Sequence, residues 1–221
     1  MKCYDAIIFD FDGVLIESEF VGNEQIAATL TDLGYPTTVE QSLDNFVGLG
    51  GRDFSEAVER HIGGPIPEAF HEARRIEDMR VLAAGLDPVV GAVAFIASLP
   101  VGLPRAIASS STTHWIRTHL DHLGLRAAFE PHVYSGREHV TRGKPAPDIY
   151  LHAAGMLGSD IARTLIIEDS PVGVAGAIAS GAQVVGLAAG RHCGDGHSDK
   201  LRAAGATRIV HDFDSIARLL D

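Results

Sequence analysis

The sequence predicts an α/β fold: a doubly wound, Rossmann-like parallel sheet with an α-helical subdomain inserted near its start. Three observations support this. Short apolar runs alternate with helical segments, the runs are apolar throughout, and one interval between strands is unusually long. Runs of this kind are typical of strands covered on both faces. With 221 residues, 46% of them hydrophobic, the chain is large enough to bury such a core.

Four apolar runs are predicted to form strands of the sheet. They lie at residues 6–9, 106–108, 164–167 and 184–187. Parallel strands need crossover connections, and helices are predicted near residues 114–123, 147–157, 171–180 and 212–220. The third of these helices has the clearest boundaries, with Ser170 as N-cap, Pro171 in the first turn and Gly181 just past the end.

The long interval separates Asp12 from Ser109. It spans 97 positions, whereas a strand-to-strand crossover needs about 30 residues. The interval contains no strand pattern before residue 104, but helical segments are predicted near residues 18–33, 39–46, 52–62 and 67–83. We therefore predict a helical subdomain of residues 16–86, inserted into an α/β core formed by residues 1–15 and 87–221.

The overall charge limits the classes of partner. Lys and Arg number 18 against 29 Asp and Glu, which gives a formal charge of −11. This charge opposes binding to nucleic acid and to anionic membranes. No apolar run reaches about 18 residues, and we expect neither a signal peptide nor a disulfide between Cys3 and Cys193. The expectation is a cytoplasmic monomer or weak dimer that acts on a small molecule.

Acidic residues follow two of the predicted strands. Asp10 and Asp12 come after the first run, and Glu168 and Asp169 follow the run at residues 164–167. Ligands of open α/β sheets bind beyond the carboxyl ends of the strands. An extended backbone at residues 10–12 would point Asp10 and Asp12 to the same side. Carboxylates without an accompanying Cys or His cluster suit Mg²⁺.

Two further segments add side chains that favour the binding of a phosphate group. Lys144 precedes two prolines, which keep it out of a helix and hold it in place. Ser109 and Ser110 come just before a predicted helix start, where hydroxyl and amide groups favour phosphate, although Ser109 would also serve as the N-cap. Together these residues indicate phosphoryl transfer, with Asp10 as nucleophile and Asp12 as general acid and base.

The four motifs resemble those of the haloacid dehalogenase-like superfamily, in the branch of β-phosphoglucomutase and sugar-phosphate phosphatases. They occur in the family's order, as Asp10-Phe-Asp12-Gly, Ser109, Lys144 and Glu168-Asp169. The resemblance implies that Asp10 and Asp169 bind Mg²⁺ through carboxylates and Asp12 through its main-chain carbonyl. Glu168 would be a metal ligand or a carboxylate beside the ligands. The subdomain of residues 16–86 would be a cap that closes over the substrate.

Differences from the motifs of other branches of the superfamily narrow the predicted activity. Having both Asp10 and Asp12 resembles phosphatases and mutases rather than true dehalogenases. No Lys occurs from Leu15 to Leu86, whereas phosphonatases of the superfamily use a cap lysine. Gly22 stands where β-phosphoglucomutase has a histidine. We therefore predict a Mg²⁺-dependent phosphatase of a sugar phosphate, sugar bisphosphate or phosphorylated sugar acid. A sugar phosphomutase and a non-catalytic metabolite-binding regulator remain as alternatives.

Arg52 is the predicted specificity residue. The segment Gly48–Asp53 resembles the family's substrate-specificity loop, and a guanidinium group suits a distal phosphate or carboxylate equally well. Arg52 would otherwise pair with Asp53 or Glu56 on a helix surface.

The remaining polar clusters are predicted to be structural. The glycines of segment 192–197 favour a surface loop over a transition-metal site. We expect the histidines of the helix near residues 114–123, namely His114, His119 and His122, to be solvated. Trp115 on the same helix is interpreted as a packing residue.

Overall fold

The computed structural model describes residues 4–220. These residues form two compact units: one ends at Glu17 and resumes at Leu86, and the other is Ser18–Gly85. The smaller unit begins two residues later and ends one residue earlier than the predicted subdomain of residues 16–86. Its role as a cap over the substrate stays a prediction. Cys193 forms no disulfide with any described residue, and Cys3 lies outside the described residues.

The larger unit contains a sheet of six parallel strands. In chain order they are β1 (Ala6–Phe9), β2 (Arg105–Ser109), β3 (Val133–Ser135), β4 (Thr164–Glu168), β5 (Gln183–Leu187) and β6 (Ile209–Val210). Their order across the sheet is β3-β2-β1-β4-β5-β6. This confirms the predicted doubly wound α/β fold. The prediction missed β3 and β6, which have only three and two residues and therefore too little pattern to detect.

The eight predicted helices lie close to their expected positions, and the sequence did not predict the helices at 92–98, 126–129 and 197–203. The smaller unit contains α1 (Ser18–Asp32), α2 (Val39–Phe46), α3 (Gly51–Ile62) and α4 (Glu68–Ala84). The larger unit contains α5 (Ala92–Ser98), α6 (Thr113–His122), α7 (Arg126–Phe129), α8 (Asp148–Leu157), α9 (Pro171–Ala179), α10 (His197–Ala203) and α11 (Phe213–Leu220). None of the helices in residues 4–220 has the length and hydropathy needed to cross a membrane.

Both faces of the sheet are buried. Ile7 and Phe9 of β1 pack into a core with residues of α5, α6 and α11. Ile8, on the opposite face, packs into a second core with residues of α8, α9 and α10. All three side chains are fully buried. This two-sided burial explains why the strands have apolar runs without alternation. The smaller unit has its own apolar core.

The strand register brings the sequence motifs to one edge of the sheet. Phe9 of β1 pairs with Ile167 of β4 and with Ile107 of β2. Asp10 directly follows β1, and its backbone N–H donates to the Ile167 carbonyl oxygen at 2.9 Å. The strand order changes direction between β1 and β4, which is where open α/β sheets place their ligand sites.

Candidate active site

Lys144 joins the acidic residues that follow β1 and β4. Its Nζ lies 2.6 Å from Asp10 Oδ1 and 2.6 Å from Glu168 Oε1. The lysine side chain is only 5% exposed, so these ion pairs are shielded from water. Burial opposes the charged lysine, but the carboxylates of Asp10 and Glu168 outweigh it and raise the pKa of Lys144 well above its ordinary value.

Glu168 is held by protein donors at both carboxylate oxygens. Oε1 accepts from Lys144 and from the Tyr150 hydroxyl at 2.6 Å. Oε2 accepts from the backbone N–H of Ser170 at 3.1 Å and from its hydroxyl at 3.0 Å. A Cβ at Gly173 would overlap the Glu168 carboxylate, so the glycine makes room for it. Glu168 is thereby fixed as the counter-ion of Lys144.

The carboxylates outnumber the positive charge beside them. Donor oxygens of Asp10, Glu168 and Asp169 all lie within 4.8 Å of one another. Burial raises the pKa of Asp10 well above its ordinary value, and Glu168 and Asp169 add to this rise against the opposing effect of Lys144. Burial, followed by Glu168, likewise raises the pKa of Asp169. One lysine cannot balance three carboxylates, so the cluster favours an additional cation.

The donor atoms fit Mg²⁺. Asp169 Oδ1 is buried and has no hydrogen-bond partner among the described residues. A buried carboxylate oxygen without a donor is costly unless a cation binds there. Asp10 and Asp169 together offer the hard oxygen ligands that Mg²⁺ prefers.

Asp12 faces the hydroxyl groups that follow β2. Its Oδ2 accepts from Ser111 Oγ at 2.6 Å and from Ser109 Oγ at 3.2 Å. Its Oδ1 accepts from the indole Nε1 of Trp115 at 3.0 Å. Whereas Asp10 pairs with Lys144, the Asp12 carboxylate is therefore held separately. Metal binding by its main-chain carbonyl, which the family resemblance implies, stays a prediction.

The two serines predicted to bind phosphate differ in exposure. Ser109 is buried at the end of β2, and its Oγ also accepts from the backbone N–H of Ser111 at 2.9 Å. Ser110 is exposed. The interpretation of Ser109 as a helix N-cap is wrong, because Thr112 caps α6 by accepting from the backbone N–H of Trp115. Phosphate binding by Ser109 and Ser110 stays a prediction.

The sequence analysis did not predict Ser111, Trp115 and Tyr150 as partners of the acidic residues. Trp115 was assigned to packing alone, but its indole N–H reaches Asp12. A buried indole usually finds a hydrogen-bond acceptor, which was the available signal. Tyr150 gave no comparable signal, because only the packing of α8 against the sheet brings its hydroxyl to Glu168.

The segment 192–197 is only in part the surface loop that the sequence predicts: residues 194–196 are exposed, but its two histidines are buried. His192 and His197 are only 4% and 5% exposed. His192 Nε2 lies 2.9 Å from Asp169 Oδ2, and His197 Nε2 lies 2.7 Å from the main-chain oxygen of Asp169. Donor atoms of His192, Cys193 and His197 lie within 4.8 Å of one another. The segment is therefore a turn with residues 194–196 exposed and with both histidines turned inward beside Asp169.

The prediction of solvated histidines on α6 is wrong for His119. This side chain is fully buried, and its ring lies 4.4 Å from that of Trp115. Burial lowers the pKa of His119 from 6.5 to about 4. His114, on the same helix, is exposed as predicted.

His119 is expected to make folding sensitive to acid. The unfolded imidazole takes up a proton near pH 6.5, whereas the folded one resists until about pH 4, so stability is lost as the pH falls through this window. Between pH 7 and pH 5 the free energy of unfolding of the parent should fall by about 1–2 kcal/mol more than that of His119→Leu. Urea denaturation at both pH values measures the difference. His114→Leu is the matched control, and equal losses in the parent and His119→Leu would contradict the prediction.

Two residues of the smaller unit were singled out from the sequence. Arg52 lies on α3 with its side chain 89% exposed, and its Nε is 2.6 Å from Glu56 Oε1. This is one of the two surface pairs that the sequence allowed, and substrate contact by Arg52 stays a prediction. Gly22 lies on α1, and a Cβ built there comes no closer than 3.9 Å to another heavy atom, Arg74 Nη1.

Comparison with known proteins identifies relatives along most of the chain. It is 36% identical over 202 residues to hexitol phosphatase A of Escherichia coli (strain K12), covering 85% of this chain and 84% of that protein. It is 23% identical over 213 residues to 6-phosphogluconate phosphatase of the same strain, covering 96% and 92%. A conserved haloacid dehalogenase-like protein from Agrobacterium tumefaciens has a solved structure with a TM-score of 0.89 and 32% identity, covering 98% and 97% of the two chains.

A family model supports the same assignment. It describes a haloacid dehalogenase-like hydrolase and matches residues 4–181, which include all four motifs. With the phosphatases among its relatives, this match identifies a phosphoric monoester hydrolase. The chain belongs to the haloacid dehalogenase-like hydrolase family.

Proposed function

We propose that this haloacid dehalogenase-like hydrolase is a Mg²⁺-dependent phosphatase that forms an aspartyl-phosphate on Asp10. Its substrate is a small phosphorylated metabolite: a sugar phosphate, a sugar bisphosphate or a phosphorylated sugar acid. The main supporting observation is the buried bridge from Lys144 Nζ to Asp10 Oδ1 and Glu168 Oε1, each at 2.6 Å, beside Asp169. Relatives that are named as phosphatases of hexitols and of 6-phosphogluconate support the substrate class.

The first step transfers the phosphoryl group to the protein. An oxygen of the Asp10 carboxylate attacks phosphorus as the ester P–O bond breaks. Asp12 donates a proton to the departing alkoxide. Lys144 and Ser109 hold the phosphoryl oxygens, while Glu168 keeps the lysine in place. When bound by Asp10, Asp169 and the Asp12 carbonyl, Mg²⁺ supplies the charge that lets an anion approach a phosphate dianion.

The second step restores the nucleophile. Asp12, now ionised, takes a proton from a water molecule whose oxygen attacks phosphorus. The bond between Asp10 and phosphorus breaks, which releases inorganic phosphate. The contacts from Ser109, Ser111 and Trp115 orient Asp12 for both proton transfers.

Phosphate release from a panel of sugar phosphates tests this function. We expect release that requires Mg²⁺, stops with EDTA and is lost in Asp12→Asn. Release that persists in EDTA would contradict the metal requirement, and no release from any substrate would favour the non-catalytic regulator. If a sugar bisphosphate activator raised isomer formation above phosphate release, the enzyme would be a mutase. That the enzyme acts in the cytoplasm, as a monomer or weak dimer, stays a prediction.

Arg52→Ala is expected to impair recognition of the sugar part of the substrate. Loss of a charge-assisted contact should raise KM for the preferred sugar phosphate about tenfold and leave KM for a simple aryl phosphate unchanged. Arg75→Ala is the matched control, because Arg75 is also exposed in the smaller unit and pairs with Glu72. Equal changes of KM for the two substrates would remove Arg52 from the substrate contacts.

A further inference from the structure

His192 contacts a proposed metal ligand through a single well-placed atom. Its Nε2 lies 2.9 Å from Asp169 Oδ2, and the two side chains are only 1% and 2% exposed. A carboxylate that binds a cation is ionised and only accepts hydrogen bonds, so in the metal-bound site Nε2 carries the proton and donates it. Oδ2 is thereby occupied, whereas Oδ1 has no hydrogen-bond partner among residues 4–220. The contact thus distinguishes the two oxygens of Asp169.

The ring of His192 is held by glycine backbone. A Cβ built at Gly190 would lie 2.6 Å from Cε1 and 2.6 Å from Nδ1 of the ring. A Cβ at Gly13 would lie 2.9 Å from Cε1. A side chain at either position would therefore displace the imidazole. The donor is held in one orientation by packing as well as by its hydrogen bond.

A second histidine fixes the backbone of the same residue. His197 Nε2 lies 2.7 Å from the main-chain oxygen of Asp169. This oxygen is also only an acceptor, so His197 donates to it. One imidazole thus restrains the side chain of Asp169 and the other its peptide group. Hydrogen bonds from outer residues to ligating carboxylates orient them and increase metal affinity.

We infer that His192 is a positioning residue for the metal site: its Nε2–H holds Asp169 Oδ2 so that Oδ1 faces the cation. His197 restrains the Asp169 backbone in support of this arrangement. The inference rests on the proposed function, because it concerns the same Mg²⁺ site. The inference gives a role to segment 190–197, which contains none of the four motifs and lies beyond the family match at residues 4–181.

Binding of Mn²⁺ alone to EDTA-stripped protein tests this role without measuring turnover. The electron paramagnetic resonance signal of free Mn²⁺ gives the dissociation constant. We expect His192→Leu to bind Mn²⁺ about 10- to 100-fold more weakly than the parent. His192→Gln should recover most of the affinity, because its amide can present a donor near the position of Nε2. His211→Leu, which replaces an exposed histidine, should bind like the parent.

Gly190→Ala provides a second variant that removes no hydrogen-bonding group. It should weaken Mn²⁺ binding by displacing the His192 ring, and it carries the test if His192→Leu fails to fold in thermal melts. Parent-like binding by whichever of these two variants folds overturns the inference. Equal weakening by His192→Gln and His192→Leu would also overturn it, because the donor would then be irrelevant. Absence of Mn²⁺ binding by the parent would instead overturn the proposed metal requirement itself.

Discussion

Asp10→Asn is expected to abolish turnover, lowering kcat by at least about 10⁴-fold. The amide has nearly the same shape and still offers an oxygen to Lys144 Nζ, which lies 2.6 Å from Asp10 Oδ1 in the parent. The variant should therefore fold normally, but its amide cannot attack phosphorus. The loss should appear in kcat for every substrate, including a simple aryl phosphate.

Acid quenching during turnover of a radiolabelled aryl phosphate provides the direct measurement. The parent should carry acid-stable label on the protein, and Asp10→Asn should carry none. Asp5→Asn is a matched control. Asp5 also lies next to β1, but its carboxylate pairs with Arg163 at the surface. Label that remained in Asp10→Asn would show that another residue is the nucleophile.

Lys144→Met is expected to impair both activity and folding. Removing the lysine leaves Asp10 and Glu168 buried without their shared counter-ion, which should cost about 3–5 kcal/mol of unfolding free energy. Loss of an oriented charge at the phosphoryl group should lower kcat/KM by about 10²–10³-fold or more. Urea denaturation in EDTA and phosphate release in Mg²⁺ measure the two effects separately.

A second substitution separates these two effects. In the double variant Lys144→Met/Glu168→Gln, one of the two unbalanced charges is removed. Its unfolding free energy should lie above that of Lys144→Met, while its activity should stay low, because no cation is restored. An unchanged unfolding free energy in Lys144→Met would contradict the buried ion pairs described for the site.

Most of the sheet and the motif positions were predictable because they depend on local pattern. Burial on both faces leaves a continuous apolar run, as in β1 and β4, and these two runs are followed by acidic residues at the carboxyl ends of the strands. Ser170 caps α9 as predicted, because its side chain and the Gly173 N–H are only three positions apart. Such features need no knowledge of distant parts of the chain.

The missed residues depend on contacts between distant segments. Trp115 reaches Asp12 across 103 positions, so its periodicity on α6 shows only that it is partly buried. His192 was assigned to a surface loop because of the glycines of segment 192–197, but Gly190 and the distant Gly13 are the glycines that admit its ring beside Asp169. A glycine pattern alone does not distinguish a flexible loop from a close approach of backbone to a side chain.

The central position of β1 has a consequence for synthesis on the ribosome. This strand is made before both of its neighbours, β2 (Arg105–Ser109) and β4 (Thr164–Glu168). A nascent chain that ends before residue 164 therefore leaves one edge of β1 unpaired, which is a site for aggregation. Translation must pass β4 before both edges of β1 are paired and before Asp10 meets Glu168 and Asp169.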